Sequence, residues 1–549
     1  MSTSHNDSDI SFDYVIVGSG AAGSLLADRL SRDPSVSVLL LEAGGSDRNP
    51  MHLVPKAFFF TMTHPWYTKS YVTEPDAEGN TKTLHRGRIL GGSTTVNGMM
   101  WNRGWTPDYD AWERAGNTGW NWPRFLAAFK ALESHEMGMS STRGGDGPVP
   151  ISIAKSNEPV TRAFIEALGK HGVSFVEDVN STGDERVGFS AFTVRRGTRV
   201  SAARTFLRGA RRRRNLTILT RAEADRITFD GTIATGVQVR RRGRTIHFGA
   251  RREVLVCAGA LESPLLLERS GIGDPRVLSG AGVAVRVASP KVGANLQDHR
   301  GCTFHLRLRE PLGYNAEVNN ALKRGWTGFK FLFTRAGVMS YGGFDLLAVI
   351  KSDPAAPHPD TSVFFTPISA SRTHPRNGRF VVDAWPGAML TVSLIFPTSK
   401  GSIHITGPSL KDKPRIVPNA VSTDYDCSMS IAMIKKAREI VATEPFARLV
   451  ETEVVPGDLI HDDADALRYA TKNGGVGVHT LGTCAIGPDD GDVVDDRLRV
   501  RGVSKLRVVD ASVFPAPTSG NNSGPTQAMA WIAADLILQD AQEFSAANG

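Results

Sequence analysis

The stretch Gly18-Ser19-Gly20-Ala21-Ala22-Gly23 has the glycine spacing with which a chain can hold the pyrophosphate of a dinucleotide. The first glycine permits a tight turn, the second lets backbone approach the phosphates, and the third lets helix and strand pack closely. The helix that follows offers N–H groups and a positive dipole end to the anion. Glu42, at the end of the next apolar run, can accept hydrogen bonds from ribose hydroxyls. An acid there disfavours the extra phosphate of NADP and leaves FAD and NAD both open. A second small loop, Gly91-Gly92-Ser93-Thr94, is rich in donors and can lie against a flat polar ring system and close under a pyrophosphate. Asn97 stands where it can bond the ring edge or hold the loop.

The elements around these residues alternate in the βαβ manner. Tyr14 to Val17 reads as a buried strand, Ala21 to Arg32 as a helix and Val36 to Leu41 as a second, parallel strand. The pattern of strand, glycine turn and helix returns at Glu253 to Ala258 before Gly259, and at Leu506 to Asp510. Three such units spread along the chain imply one α/β, Rossmann-like domain assembled from discontinuous segments, which we place at 11–155, 190–310 and 479–545. Between 311 and 478 the texture changes to alternating β-branched and aromatic runs, such as Ser362 to Phe365 and Leu390 to Phe396. These predict a second, substrate-binding domain at 156–189 and 311–478, a mostly antiparallel sheet flanked by helices.

A chain of 549 residues, 41% hydrophobic and 22% charged, can bury more than one core. The first ten residues are polar and lack the basic start and apolar run of a secretory signal, and no apolar stretch approaches the roughly 20 residues that span a bilayer. A cytoplasmic protein without an integral membrane segment is the expectation. Cys257, Cys302, Cys427 and Cys484 form no CxxC pair, so reduced, mostly buried thiols are expected, with neither a disulfide framework nor a metal site. The formal charge of +8 leans on Arg211 to Arg214 and on Arg240, Arg241, Arg242 and Arg244. The first run precedes a strand-like Leu216 to Leu219 and the second sits at a hairpin tip, which favours solvated ends over nucleic-acid binding.

Longer motifs carry a family likeness. The segment Gly87 to Gly104 resembles the first signature of the glucose/methanol/choline (GMC) oxidoreductases, and Gly259 to Gly273 resembles the second along its whole length. Asn295-Leu-Gln-Asp-His299, Pro397 to Gly401, His479 to Cys484 and Val508 to Pro515 continue the likeness in order, and it is weakest between about 311 and 390.

The resemblance implies an FAD enzyme that oxidises an alcohol, in a branch similar to the bacterial choline dehydrogenases and alcohol oxidases. It places His479 as the catalytic base and Asn521 as the partner whose amide steadies the alkoxide, with Asn522 as the fallback. It implies a cofactor surface made by the two glycine loops with Glu42, Ala43, Arg88, Asn97, Gly98, Met99, Met100, Ala224, Ala258, Gly259, Asp510, Ala511, Asn521, Asn522, Ser523 and Thr526. His85 does not match the offset of the family's covalent attachment histidine, so non-covalent FAD is expected. Val478, where several members carry an aromatic, suggests a roomy pocket for a bulky or aryl alcohol, and Trp101 is assigned to the same pocket. Oxygen, a quinone or another redox carrier could each accept the electrons, and the oligomeric state stays open. One rival reading keeps the fold, a lyase or decarboxylase that uses FAD without net redox chemistry; a second is a flavin-binding protein without turnover, and a third, a nicotinamide-dependent dehydrogenase, leaves the Gly91 loop and His479 without a task.

Overall fold

The computed structural model describes residues 10–76, 79–373, 380–476 and 478–548. Of the polar amino-terminal stretch read above, residues 1–9 lie outside the described residues. The parallel core forms because its strands are apolar on both faces: Val15, Ile16, Leu39, Leu40, Val254 and Leu255 are wholly buried. Its order runs Leu216–Thr220, Val38–Glu42, Ile10–Val17, Arg244–Val256 and Leu506–Val508, all parallel neighbours. The long strand Arg244–Val256 serves twice, because its first half turns into an antiparallel meander with Ile233–Arg241 and Glu223–Asp230. The hairpin tip at Arg242-Gly243 is the one read from the arginine cluster.

The helix Ala21–Leu30 covers this sheet and packs against the carboxyl-terminal helix Ser523–Asn548, with Arg29 stacked 4.1 Å over Trp531 and paired with Asp535 at 2.7 Å. That contact brings the far end of the chain back to the first glycine loop.

The second sheet is antiparallel in the order Val450–Val455, Arg300–Leu308, Gly387–Leu394, Thr361–Thr366, Leu346–Ile350 and Arg186–Phe189, closed by a parallel pair with Ser174–Phe175. Helices Pro159–Lys170, Asp424–Val441 and Asp463–Lys472 share its apolar core, where Phe164 stacks on Phe365 at 4.5 Å. Arg300–Leu308, expected in the first domain, belongs to this sheet, so the chain crosses near 299 rather than 310. The reason is register: Cys302, Phe304, Leu306 and Leu308 alternate into the second core. Gly475–Val476 pairs with Gly301 and Arg300, which holds the chain just before His479 against the chain just after His299.

Cys257, Cys302 and Cys484 are buried and Cys427 half-buried, all as free thiols. Among the described residues no helix is long and apolar enough to cross a membrane.

Candidate active site

The first glycine loop is tight. A methyl on Gly23 would stand 1.9 Å from the Gly18 carbonyl oxygen, and one on Gly18, at φ +100°, would stand 2.4 Å from that of Cys257. Ser19 donates through its backbone N–H (3.2 Å) and hydroxyl (2.5 Å) to one Glu42 oxygen, and Gly44 N–H donates to the other at 2.7 Å. Burial pushes the Glu42 carboxyl up, and these donors pull the other way. The second loop lies directly over the first: Gly91 N–H donates to the Ser19 hydroxyl, and a methyl on Gly92 would meet the Gly20 Cα at 2.8 Å. By contrast, a methyl on Gly20 or on Gly259 would meet no atom within 4 Å. The two loops and Gly259 thus border one cradle that only small residues leave open, which suits a dinucleotide on the first helix terminus.

The hydroxyls of the second loop brace it. Thr94 donates to the Gly91 carbonyl at 2.6 Å and accepts from Ala202 N–H, while Ser93 accepts from Gly87 N–H. Asn97 holds the loop through its carbonyl oxygen, which accepts from Met99 N–H and from Arg199, both at 3.0 Å. Arg199 is buried, and burial lowers it to about 9. Asp510 accepts from Gly259 N–H and the Ser263 hydroxyl, so its carboxylate is spent fixing that crossing. Arg88 pairs with Glu223 at 2.9 Å, next to Ala224, and Thr526 donates to the Asn522 carbonyl in the first helical turn.

The carboxyl-terminal residues converge in a second cluster. His479 Nε2 lies 2.8 Å from Asn521 Nδ2, and Asn521 Oδ1 accepts from Asn102 at 2.7 Å. His479 Nδ1 lies 3.1 Å from Nδ1 of His299, whose Nε2 lies 3.0 Å from the Thr518 carbonyl oxygen. A carbonyl only accepts, so His299 Nε2 carries its proton and neutral His299 has a bare Nδ1. That bare nitrogen accepts the Nδ1–H of His479, which leaves His479 Nε2 as the unprotonated atom facing the Asn521 amide donor. One backbone carbonyl therefore sets the tautomer of the base through a second imidazole.

Burial, reinforced by His299 and Arg86, holds the His479 ring well below its ordinary value, and burial lowers His299 to about 4. Asp298 accepts the His479 backbone N–H at 2.7 Å, and its carboxyl is raised to about 6 by burial. Asn522 donates to the His479 carbonyl at 2.9 Å, so the loop before the last helix grips the histidine from both sides.

Family models described as GMC oxidoreductase match residues 12–301 and 397–530. The chain belongs to the GMC oxidoreductase family. It is 36% identical over 541 residues to an oxygen-dependent choline dehydrogenase of Chromohalobacter salexigens, covering 96% of this chain and 94% of that protein. It is 35% identical over 539 residues to an alcohol dehydrogenase (acceptor) of Pseudomonas putida, covering 96% of each. The solved structure of pyridoxine 4-oxidase from Mesorbium loti superposes with a TM-score of 0.85 at 33% identity, covering 95% of this chain and 98% of that one. As a GMC oxidoreductase, the protein is an FAD-dependent enzyme that acts on alcohols.

Trp101 does not line the pocket. It is wholly buried, donates its indole N–H to Glu133 at 2.7 Å and packs edge-on against Phe129, because the Arg103–Glu133 pair beside it needs that wall. Met99 and Met100 are likewise buried, in a cluster with Phe192 and Tyr341. Val478 is 38% exposed, at φ 55°. His299 and Asn102 were assigned no role from sequence, although His299 ends the quoted Asn295–His299 motif and Asn102 follows Trp101 in the first signature.

Substitutions at His299 separate its hydrogen bond from its bulk. His299→Gln keeps an acceptor for His479 Nδ1–H, whereas His299→Leu removes it. At equal FAD content the Leu variant loses about 10-fold or more in kcat, a part of the 10²–10⁴ that a positioned base supplies. The Gln variant recovers most of it. Equal losses in the two, measured across pH, would show that the second imidazole only fills space.

Proposed function

We propose that this GMC oxidoreductase oxidises a bulky or aryl-substituted alcohol, secondary alcohols included, to the aldehyde or ketone, with His479 Nε2 taking the hydroxyl proton. The observation that carries the reading is the bare His479 Nε2 held opposite the Asn521 amide N–H. A substrate hydroxyl that takes the place of their direct 2.8 Å contact donates to the imidazole and accepts from the amide, so the oxygen is held by both groups as charge develops on it. A hydroxyl with a pKa near that of water, about 15.7, does not ionise to an imidazole depressed by burial. The proton therefore leaves as the C–H bond gives up its hydride, and Asn521 steadies whatever negative charge accumulates. FAD, when bound, supplies the hydride acceptor.

Held by the two glycine loops and Glu42, FAD is bound without a covalent link, and the His85 side chain is engaged with the Ser70 hydroxyl at 2.9 Å. Electrons pass on to oxygen, a quinone or another carrier, and the protein works in the cytoplasm. Valine at 478, partly exposed beside the base, leaves more room at the reacting carbon than an aromatic would.

Anaerobic mixing with a panel of alcohols tests the reading by bleaching of the flavin absorbance. Secondary and aryl alcohols bleach it faster than choline or methanol, and Val478→Trp slows the bulky ones about 10-fold or more, the scale of a misfit in a packed pocket, while sparing small primary alcohols. Bleaching by none of them sinks the oxidation. Unchanged selectivity in the variant sinks the size argument alone.

A further inference from the structure

The helix Ala321–Thr334 shows its apolar side to solvent. Leu322 (85% exposed), Trp326 (66%), Phe329 (52%) and Phe333 (74%) fall within about 60° of one another at 3.6 residues per turn, and Leu332 (64%) flanks them. Phe331, the one buried residue of the helix, points to roughly the opposite side, into the body. The exposed rings form a ladder, Trp326 stacked on Phe329 at 5.7 Å and Phe333 tilted against Phe329 at 4.6 Å. A soluble surface rarely leaves so contiguous an apolar stripe uncovered without an interaction to serve.

The charge carried by the helix itself has one sign. Lys323, Arg324, Lys330 and Arg335 lie on or at the end of the helix, and from Asn320 to Gly343 the sequence has no acid. Arg195 and Arg196 join them, since a methyl on Gly197 would stand 1.9 Å from the Arg335 carbonyl oxygen. Among the described residues none of these six cations is in an ion pair closer than 4 Å. A two-fold contact between copies through this face would set six cations against six. An apolar stripe with a basic border is what an anionic lipid surface accepts.

We propose that the helix Ala321–Thr334 docks the protein on an anionic phospholipid bilayer, lying in its interface with Leu322, Trp326, Phe329 and Phe333 inserted. Fourteen residues give about 21 Å of helix, short of the roughly 30 Å hydrocarbon core, so the helix lies in the surface and does not span it. The chain after the helix runs to the cofactor loop: a methyl on Gly342 would meet the Gly98 carbonyl oxygen at 2.6 Å. Only the segment from Arg335 to Tyr341 separates the docked helix from that contact along the chain, and the bilayer would offer alcohols or electron acceptors dissolved in lipid.

Sedimentation of the FAD-loaded protein with vesicles tests this. Wild type pellets with vesicles of phosphatidylcholine containing about one-third phosphatidylglycerol, and about 10-fold less with phosphatidylcholine alone or at high salt. The double variant Trp326→Ser, Phe333→Ser binds anionic vesicles about 10-fold more weakly, roughly the loss of two inserted aromatics, with FAD content and turnover of a water-soluble alcohol with a soluble dye unchanged. The charge variant Lys323→Glu, Lys330→Glu shows the same defect. Wild type that stays in the supernatant, variants that pellet like wild type, or a wild-type dimer that the double variant splits to monomers would each overturn the proposal.

Discussion

Replacing His479 with glutamine lowers kcat/KM by about 10³-fold, roughly 4 kcal/mol, and leaves the bound FAD in place. Glutamine preserves most of the ring's volume and a polar atom near Asn521, so the loss isolates the proton acceptor. The neighbouring imidazole does not take over: His299 points its protonated Nε2 at Thr518, and its Nδ1 is occupied by His479. Stopped-flow reduction by alcohol, with flavin absorbance as the check on cofactor content, measures the effect. A variant within about fivefold of wild type, far short of what a positioned base supplies, would remove His479 from the reaction.

The acid limb of the pH profile follows from the same environment. Only the neutral ring accepts a proton, and burial with His299 and Arg86 lowers the pKa of His479. The active form is therefore fully present above the ordinary histidine range, and it persists as the pH falls through 6.5, being lost only when the depressed value is reached. A limb centred at or above 6.5 would contradict the electrostatics of the pocket.

The glycine loops, the order of strand and helix around them and the change of texture at the second sheet were legible in the sequence because each is local: a turn, a period, a spacing. Motifs singled out His479 and Asn521, which the fold sets 2.8 Å apart. What escaped was long-range. His299 and His479 are 180 residues apart and meet because Gly475–Val476 pairs beside Arg300, a register set by alternation across two distant segments. The same alternation moved Arg300–Leu308 out of the domain to which position along the chain had given it. Trp101 was misplaced because a motif fixes where a residue lies in the chain, while the direction of its ring was decided by the buried Arg103–Glu133 pair. The stripe Leu322 to Phe333 has the period of a helix packed on a core, and periodicity cannot say whether anything covers it.

Two alanine substitutions three residues apart separate folding from cofactor binding in the first glycine loop. Gly23→Ala drives a methyl to within 1.9 Å of the Gly18 carbonyl and 3.2 Å of the Cys257 side chain, so helix Ala21–Leu30 must lift from the sheet. Overpacking of that kind costs about 1–3 kcal/mol, and FAD content falls with stability. Gly20→Ala meets no atom within 4 Å, and Gly20, at φ −68°, has a backbone that alanine accepts. Its apoprotein is therefore as stable as wild type or slightly more so, because alanine narrows the unfolded ensemble. Its methyl nevertheless occupies the place where the backbone must approach the pyrophosphate, so FAD affinity falls by about 10-fold or more, the equivalent of some 1.4 kcal/mol. Thermal melts of the two apoproteins with FAD titrations read both quantities. A Gly20→Ala protein that binds FAD like wild type would move the phosphates away from this loop.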